Sequence, residues 1–244
     1  MARSLTYFVS DVHLGLKVGD PAARERQFVE FLAGIKPEET ESVYLLGDIW
    51  DFWYEYRDVV PRGYVELFAA LKTLMREGVK VYFFRGNHDV WSYSYFQEMG
   101  MVPLEQPCAV SIGPKYFCLG HGDGLGKGMR GYKFLRGIFH NRVLQVLFST
   151  LHPWLAFRLG EGWSRRSRLA KNIPYQFKGA DEPLYKYCEA YQKGPVPADY
   201  FIFGHYHAET ELPVGEARLL LLGDWITRPN WLVFNASSGE IRRY

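Results

Sequence analysis

The residues able to do chemistry stand in five short stretches, each closing an apolar run. They are Ser10-Asp11-Val12-His13, Gly47-Asp48-Ile49-Trp50-Asp51, Gly86-Asn87-His88-Asp89, Gly120-His121-Gly122-Asp123 and Gly204-His205-Tyr206-His207. An apolar run ending in Gly or a turn residue reads as a buried strand breaking into a loop. The carboxylates of Asp11 and Asp48, the amide oxygen of Asn87 and the imidazoles of His13, His121, His205 and His207 form an O/N donor set without thiolate. Such a set suits Mn²⁺, Fe²⁺ or Zn²⁺ better than Ca²⁺ or a structural zinc site. Seven donors are too many for one ion. They suit two ions sharing a carboxylate, roughly 3.5–4 Å apart, a pair that lowers the pKa of bound water from about 15.7 toward about 7 and neutralises phosphoryl charge. Taken singly, a His at a strand end is usually a loop residue, and Gly-Asp is usually a turn or helix cap. Five such clusters in one chain argue for one site, to which the last must fold back to join the first.

The elements that would position these donors follow from the periodicity. Strands are expected at Leu5–Ser10, Val43–Leu46 and Val79–Phe84, alternating with helices over Arg24–Ile35 and from Pro61 to Gly78. This β-α-β-α-β rhythm predicts an α/β layered fold, whose sites lie beyond the carboxyl ends of the strands. After it, Ala109–Ile112 and Tyr116–Leu119 flank Gly113-Pro114 as a hairpin. Helices are then expected over Gly131–Leu151, Trp154–Lys171 and Leu184–Gln192, and strands at Tyr200–Phe203, Leu219–Leu222 and Trp231–Phe234, the last two closing a second sheet. Residues 1–123 and 198–244 thus form a core, and 124–197 a helical insertion between two core strands.

The bulk numbers narrow the class. A chain of 244 residues fits one large domain or a domain with an insertion. No apolar run is long enough to span a bilayer. The amino terminus runs straight into a donor-bearing strand, which argues against a cleavable signal. Cys108, Cys118 and Cys188 form no Cys-x-x-Cys pair and read as reduced thiols of a cytoplasmic protein. Net charge is +2 overall, but it divides into +10 over residues 124–180 and −8 over the rest. That asymmetry calls for an anionic partner: phosphate, anionic lipid or nucleic acid.

The order Asp-x-His, Gly-Asp-x-x-Asp, Gly-Asn-His-Asp, Gly-His, Gly-His-x-His resembles the signature of the calcineurin-like metallophosphoesterases, with every block present between residues 10 and 207. The resemblance implies a calcineurin-like αββα sandwich of two mixed sheets. It implies one divalent ion held by Asp11, His13, Asp48 and His207, and a second by Asp48, Asn87, His121 and His205, with Asp48 bridging. It also implies that His88 stands beside the ions without binding them and protonates the leaving oxygen or stabilises the transition state. Asp51 would orient His88.

Further stretches narrow the resemblance to the UDP-2,3-diacylglucosamine hydrolase family, the pyrophosphatases of lipid A biosynthesis. These are Phe52-Trp53-Tyr54-Glu55-Tyr56, Val59-Val60-Pro61-Arg62-Gly63, the glycine-rich run after His121, Gly131-Tyr132-Lys133-Phe134, Trp163-Ser164-Arg165-Arg166-Ser167-Arg168 and Leu222-Gly223-Asp224-Trp225-Ile226. The resemblance covers nearly the whole chain and is closest to the branch carrying Gly-Asn-His-Asp. Better-known members have Arg where this chain has His88. It implies hydrolysis of a nucleotide-linked glycolipid, to UMP and 2,3-diacylglucosamine 1-phosphate, with two divalent ions, Mn²⁺ first among them. Asn87, His88, Asp123, Lys133, Arg165, Arg168, Lys171 and Asn172 are the candidate substrate contacts. Of the insertion's apolar residues (Phe134, Leu135, Ile138, Phe139, Leu144, Leu147, Phe148, Leu151, Trp154, Phe157), most are expected to pack within the protein and two or three to meet an acyl chain. Exposed basic and apolar surface predicts peripheral attachment to an anionic inner membrane from the cytoplasmic side. A nuclease on the same core is the rival, disfavoured by so many Leu and Phe in the insertion, so no nucleic acid is expected. A non-catalytic scaffold on this fold would be expected to lose its metal ligands, and this chain keeps them.

Overall fold

The computed structural model describes residues 3–128, 130–169 and 176–244, without the side chains of 165–169. Eleven strands among these residues form two sheets. The first is built from β1 (Leu5–Val9), β2 (Thr40–Leu45), β3 (Lys80–Phe84), β4 (Val102–Leu104), β10 (Leu232–Asn235) and β11 (Glu240–Arg243). Its order is β11-β10-β1-β2-β3-β4, parallel from β1 to β4 and antiparallel at β10 and β11, so the run expected at Trp231–Phe234 joins this sheet beside β1 instead of closing the second one. The second holds β5 (Cys108–Ile112), β6 (Lys115–Gly120), β7 (Tyr200–Phe203), β8 (Thr210–Val214) and β9 (Ala217–Leu221) in the order β5-β6-β7-β9-β8. Here β6, β7 and β9 run parallel.

The layers follow from the alternation of side chains along each strand. Phe8, Tyr44, Leu46, Phe84, Phe117, Ile202, Leu220 and Phe234 meet between the sheets. Their neighbours Val9, Val43, Leu45, Val81 and Phe83 turn outward onto α1 (Pro21–Ala33) and α2 (Val65–Arg76), which bury Phe28, Leu32, Leu67 and Leu71. Phe201, Phe203, Leu219 and Leu221 turn the other way, onto Leu184 and Cys188 of α7 (Pro183–Gln192). The result is the αββα sandwich expected from the sequence. Two helix starts differ from the periodicity. Asp20 caps α1 by accepting the Ala23 N–H, which moves its start to Pro21. In contrast, α2 starts only at Val65, after Tyr64 in a left-handed turn. The short strands β4, β8 and β11 carry too few apolar residues to stand out in the sequence; each pairs along one edge of a neighbour.

Between β6 and β7 lie α4 (Arg130–His140), α5 (Arg142–Ser149) and α6 (Pro153–Leu169); the short α3 (Tyr95–Glu98) lies earlier, after β3. The single helix expected over Gly131–Leu151 is two, because Asn141 leaves the helical region and caps α5 through its side chain. These helices sit on the aromatic stretch after β2. Tyr54 and Tyr56 donate hydroxyls to the carbonyls of Gln145 and Leu151 at 2.9 and 3.1 Å. Trp91 Nε1 donates to the Phe139 carbonyl at 2.9 Å. Gly160 lets α6 lie directly on the Phe52 ring, where a Cβ would collide. No described residue of α4 or α5 is buried. Phe134 is 73% exposed and Trp154 62%. The expectation that most apolar residues of this segment pack within the protein is therefore corrected: Phe148 and Phe157 reach core aromatics, while Phe134, Ile138, Leu144, Leu147 and Trp154 face outward. Among the described residues no helix is long and apolar enough to cross a membrane.

Candidate dimetal active site

Six parallel strand ends converge on one edge of the sandwich. β1 is followed by Asp11 and His13, β2 by Asp48 and Asp51, β3 by Asn87 and His88, β6 by His121 and Asp123, β7 by His205 and His207, and β9 by Asp224. The turns are tight and unusual. Six described non-glycine residues have positive φ, and five of them are Asp11, His13, Asp48, His205 and His207. A left-handed conformation costs a non-glycine residue about 1 kcal/mol or more and persists only where neighbours over-determine it. Here the neighbours are backbone bonds. Asp11 N–H donates to the Gly47 carbonyl at 3.1 Å, His13 N–H to the Asp48 carbonyl at 3.0 Å, and Trp225 N–H to the Asp11 carbonyl at 3.1 Å.

Each aspartate is held by one oxygen and presents the other. Asp11 Oδ2 accepts the His205 N–H at 2.9 Å, and Asp48 Oδ1 accepts the His88 N–H at 2.8 Å. Gly204 and Gly86 make these approaches possible, since a Cβ on either would overlap the carboxylate. The free oxygens face the imidazoles. Asp11 Oδ1 is buried, makes no hydrogen bond, and lies 3.6 Å from His13 Nε2 and 3.5 Å from His207 Nε2. Asp48 Oδ2 lies 3.9 Å from His13 Nε2 and 3.3 Å from His121 Nε2, facing both groups at once. Asn87 Oδ1 is 3.2 Å from His121 Nε2. His205 completes this side with its ring edge-on to that of His121, centroids 5.1 Å apart.

The electrostatics ask for positive charge at the centre. Burial pushes the Asp11 and Asp48 carboxyls up, but the surrounding imidazoles outweigh it and hold both below the usual carboxylate range. Burial lowers His121, yet the adjacent Asp48 raises it well above an ordinary imidazole. His205 is pushed down to about 4 by burial and by His121, so it stays neutral. His121 Nδ1 donates to the Leu46 carbonyl at 2.9 Å, which aims its Nε2 at Asp48 and Asn87. His207 Nδ1 is fixed in the same way by Asp224 at 2.9 Å. Donors 3.2–3.9 Å apart around an unsatisfied carboxylate oxygen match ligands lying about 2.0–2.2 Å from a shared divalent ion. The residues present fit two divalent ions.

His88 stands next to this centre, its ring edge-on to His13 at 5.1 Å. The bond that orients it comes from the Asp51 main chain: His88 Nδ1 is 2.8 Å from the Asp51 carbonyl and 3.8 Å from its carboxylate. The Asp51 carboxylate lies 3.4 Å from His13 Nδ1 and accepts the Ser164 hydroxyl of α6 at 2.7 Å. A cavity of about 470 Å³ opens from Asn87, His88 and His205 and continues between Trp91, Leu135, Phe139, Phe148 and Trp163. Of the apolar insertion residues weighed from the sequence, Leu135, Phe139 and Phe148 line it. Asp123 lines it too, but its carboxylate is engaged by Arg136, Tyr132 and Gln106. Lys133 is outside it, donating to the Gly126 carbonyl at 2.6 Å on the surface. Lys171 and Asn172, and the side chains of Arg165 and Arg168, lie outside the described residues.

Sequence reasoning passed over Asp224, Asp89 and Arg136. Asp224 carried a readable signal, a Gly-Asp pair after an apolar run like Gly47-Asp48. Asp89 is buried and accepts the Ile49 and Gly86 N–H groups at 2.9 and 2.7 Å, tying the β2 turn to the β3 turn. Arg136 was one of many basic residues in the insertion, and nothing in the sequence set it apart.

Residues 5–209 match the family described as calcineurin-like phosphoesterase. The chain belongs to that family. It is also 33% identical to the UDP-2,3-diacylglucosamine hydrolase of Porphyromonas gingivalis over 97% of its own length and 96% of that protein's. To the UDP-2,3-diacylglucosamine hydrolase of Yersinia pestis it is 28% identical, over 97% of both chains. The phosphoesterase match takes in all five donor clusters, so these turns belong to the metallophosphoesterase core, and a divalent-metal centre is what the family and the geometry share.

Proposed function

We propose that this chain hydrolyses the pyrophosphate of UDP-2,3-diacylglucosamine, releasing UMP and 2,3-diacylglucosamine 1-phosphate. The observation that carries this reading is the apolar cavity opening directly onto Asn87, His88 and His205. Its size is that of a small-ligand site, and its lining suits hydrocarbon rather than a nucleic-acid backbone. The near full-length likeness to two relatives bearing that name supports the same substrate.

Asp11, His13, Asp48 and His207 hold one divalent ion and Asp48, Asn87, His121 and His205 the other, with Mn²⁺ the preferred metal. When bound, the pair supplies an activated water and neutralises phosphoryl charge. The chain's own residues do the rest. Asp224, Leu46 and Asp51 fix the tautomers and directions of His207, His121 and His13. His88, aimed by the Asp51 carbonyl, gives a proton or positive charge to the departing sugar phosphate. Within residues 124–197, α4–α6 form a cap that takes the acyl chains, while α7 packs on the second sheet. The insertion's Lys133, Arg165, Arg168, Lys171 and Asn172, with Asp123 at the cavity mouth, set the field that receives the head group. The outward apolar residues of α4–α6 and the +10 charge of residues 124–180 support peripheral binding to the anionic cytoplasmic face of an inner membrane.

The test is UMP release from UDP-2,3-diacylglucosamine with Mn²⁺ or with EDTA, for wild type and Asp48→Ala. Release that needs both metal and Asp48, falling at least about a thousandfold without either, supports the reading. A metal-loaded wild-type protein that leaves this lipid intact while cleaving simple phosphodiesters well would overturn it.

A further inference from the structure

We propose that Arg136 binds the sugar-side phosphate of the diphosphate, as a guanidinium pre-set by Asp123 and Tyr132. This rests on the pyrophosphatase reading above. Arg136 lines the same cavity as His88, and it is the only Lys or Arg among the described lining residues. Its Nε donates to Asp123 Oδ2 at 2.9 Å. Its two terminal nitrogens make no hydrogen bond to any described residue, so the fork's outer donors stay available. Tyr132, one helical turn earlier, donates its hydroxyl to the same Asp123 oxygen at 3.2 Å and lays its ring against His205, centroids 5.8 Å apart.

Asp123 is well suited to hold this arrangement. It is buried, and its second oxygen accepts from the Gln106 amide, whose own oxygen accepts the Gly122 N–H at 2.7 Å. A buried carboxylate that accepts three side-chain hydrogen bonds, two on Oδ2 and one on Oδ1, is a fixed post. It turns a flexible side chain on a helix with no buried described residue into a directed cation. The site needs one there. A diphosphate has two charged phosphorus groups, and with the donor clusters serving the one that is attacked, the other calls for a cation of its own. In this proposal the second faces the cavity, where Arg136 is the only Lys or Arg among the described lining residues. The leaving phosphate gains charge as the P–O bond breaks, so a guanidinium at this place acts most strongly in the transition state.

The experiment compares Arg136→Lys and Arg136→Gln with wild type on two substrates: UDP-2,3-diacylglucosamine and a chromogenic phosphodiester with a single phosphorus. Losing a charge-assisted hydrogen bond should lower kcat/KM on the diphosphate lipid roughly 10- to 100-fold. The loss on the diester should be at least about tenfold smaller, since it offers no second phosphate. Lys should recover part of the Gln loss. Equal losses on both substrates, with lowered thermal midpoints, would make Arg136 only an anchor for α4 and overturn the proposal; so would an unchanged diphosphate rate. If wild type itself ignores the diphosphate lipid, the pyrophosphatase reading fails, which is a different result from either.

Discussion

The strand-end turns and the cap helices face each other across the cavity and are built on opposite plans. The turns put five non-glycine residues in left-handed backbone and bury carboxylates and imidazoles together. They stay in place because every strand beneath them is packed on both faces. The cap helices α4 and α5 hold ordinary backbone, bury nothing among the described residues, and lie on the core through a few hydrogen bonds and ring contacts. The difference teaches where each region's stability comes from. The rigid side can carry strain because the core over-determines it. The cap leaves apolar surface in the open, where the proposed lipid substrate and membrane would meet it.

The sharpest way to break this comparison is at Gly204. A methyl group there would strike Ser10 Oγ and Asp11 Oδ2, so Gly204→Ala should cost about 3 kcal/mol or more and abolish high-affinity metal binding. Thermal melts and metal titration check both; a variant of wild-type stability that binds metal normally would show that the turns are softer than argued. The next test pairs two phenylalanines. Phe28→Ala, in the core under α1, should cost about 3–5 kcal/mol. Phe134→Ala, on α4, should stay within about 0.5 kcal/mol yet weaken sedimentation with anionic vesicles. Equal stability losses at the two positions would mean that protein covers Phe134.

Ser164 links the two regions, and its removal gives a smaller effect. Ser164→Ala takes a buried donor from Asp51, whose backbone carbonyl aims His88 and whose carboxylate stands behind His13. It should lower kcat about three- to tenfold with little change in KM. A change in KM alone would place Ser164 in substrate binding instead. The smallest effect belongs to the core's outer rim. Asp199 accepts from Lys115 at 2.8 Å and from the Tyr116 N–H at 2.8 Å. Its carboxyl is pulled below the usual value: burial raises it, but these bonds outweigh burial. A lowered folded-state pKa stabilises fully above the unfolded value of about 3.9 and loses that contribution as pH falls through the folded-state value. Asp199→Asn should therefore cost under about 1 kcal/mol at neutral pH, since the pair is partly exposed and screened, and less at acid pH. Melts at both pH values decide it.

Most of the site was legible because metal donors are chemically conspicuous and recur at strand ends. A Gly-Asp or Gly-His after four apolar residues says both where the chain turns and what it presents. The sandwich was legible for a related reason: strands buried on both faces read as continuous apolar runs. The roles of Asp51 and Asp123 were less so. Both were named as candidates, but only the fold shows that Asp51 orients His88 through a carbonyl and that Asp123 is already engaged by Arg136. A main-chain contact leaves no mark on residue type, and a salt bridge across thirteen positions has no local period.

By itself, then, the sequence determined the donor set, most of the strands and helices and the strongly basic insertion, since these depend on composition and on periods of two and 3.6 residues. Tertiary structure alone decided which oxygen of Asp11 and Asp48 faces the centre, which basic side chain reaches the cavity, and which apolar residues of the insertion stay in the open. Those outcomes depend on distances between segments as far apart as Asp11 and His205. Only the closed fold brings such segments within hydrogen-bonding reach.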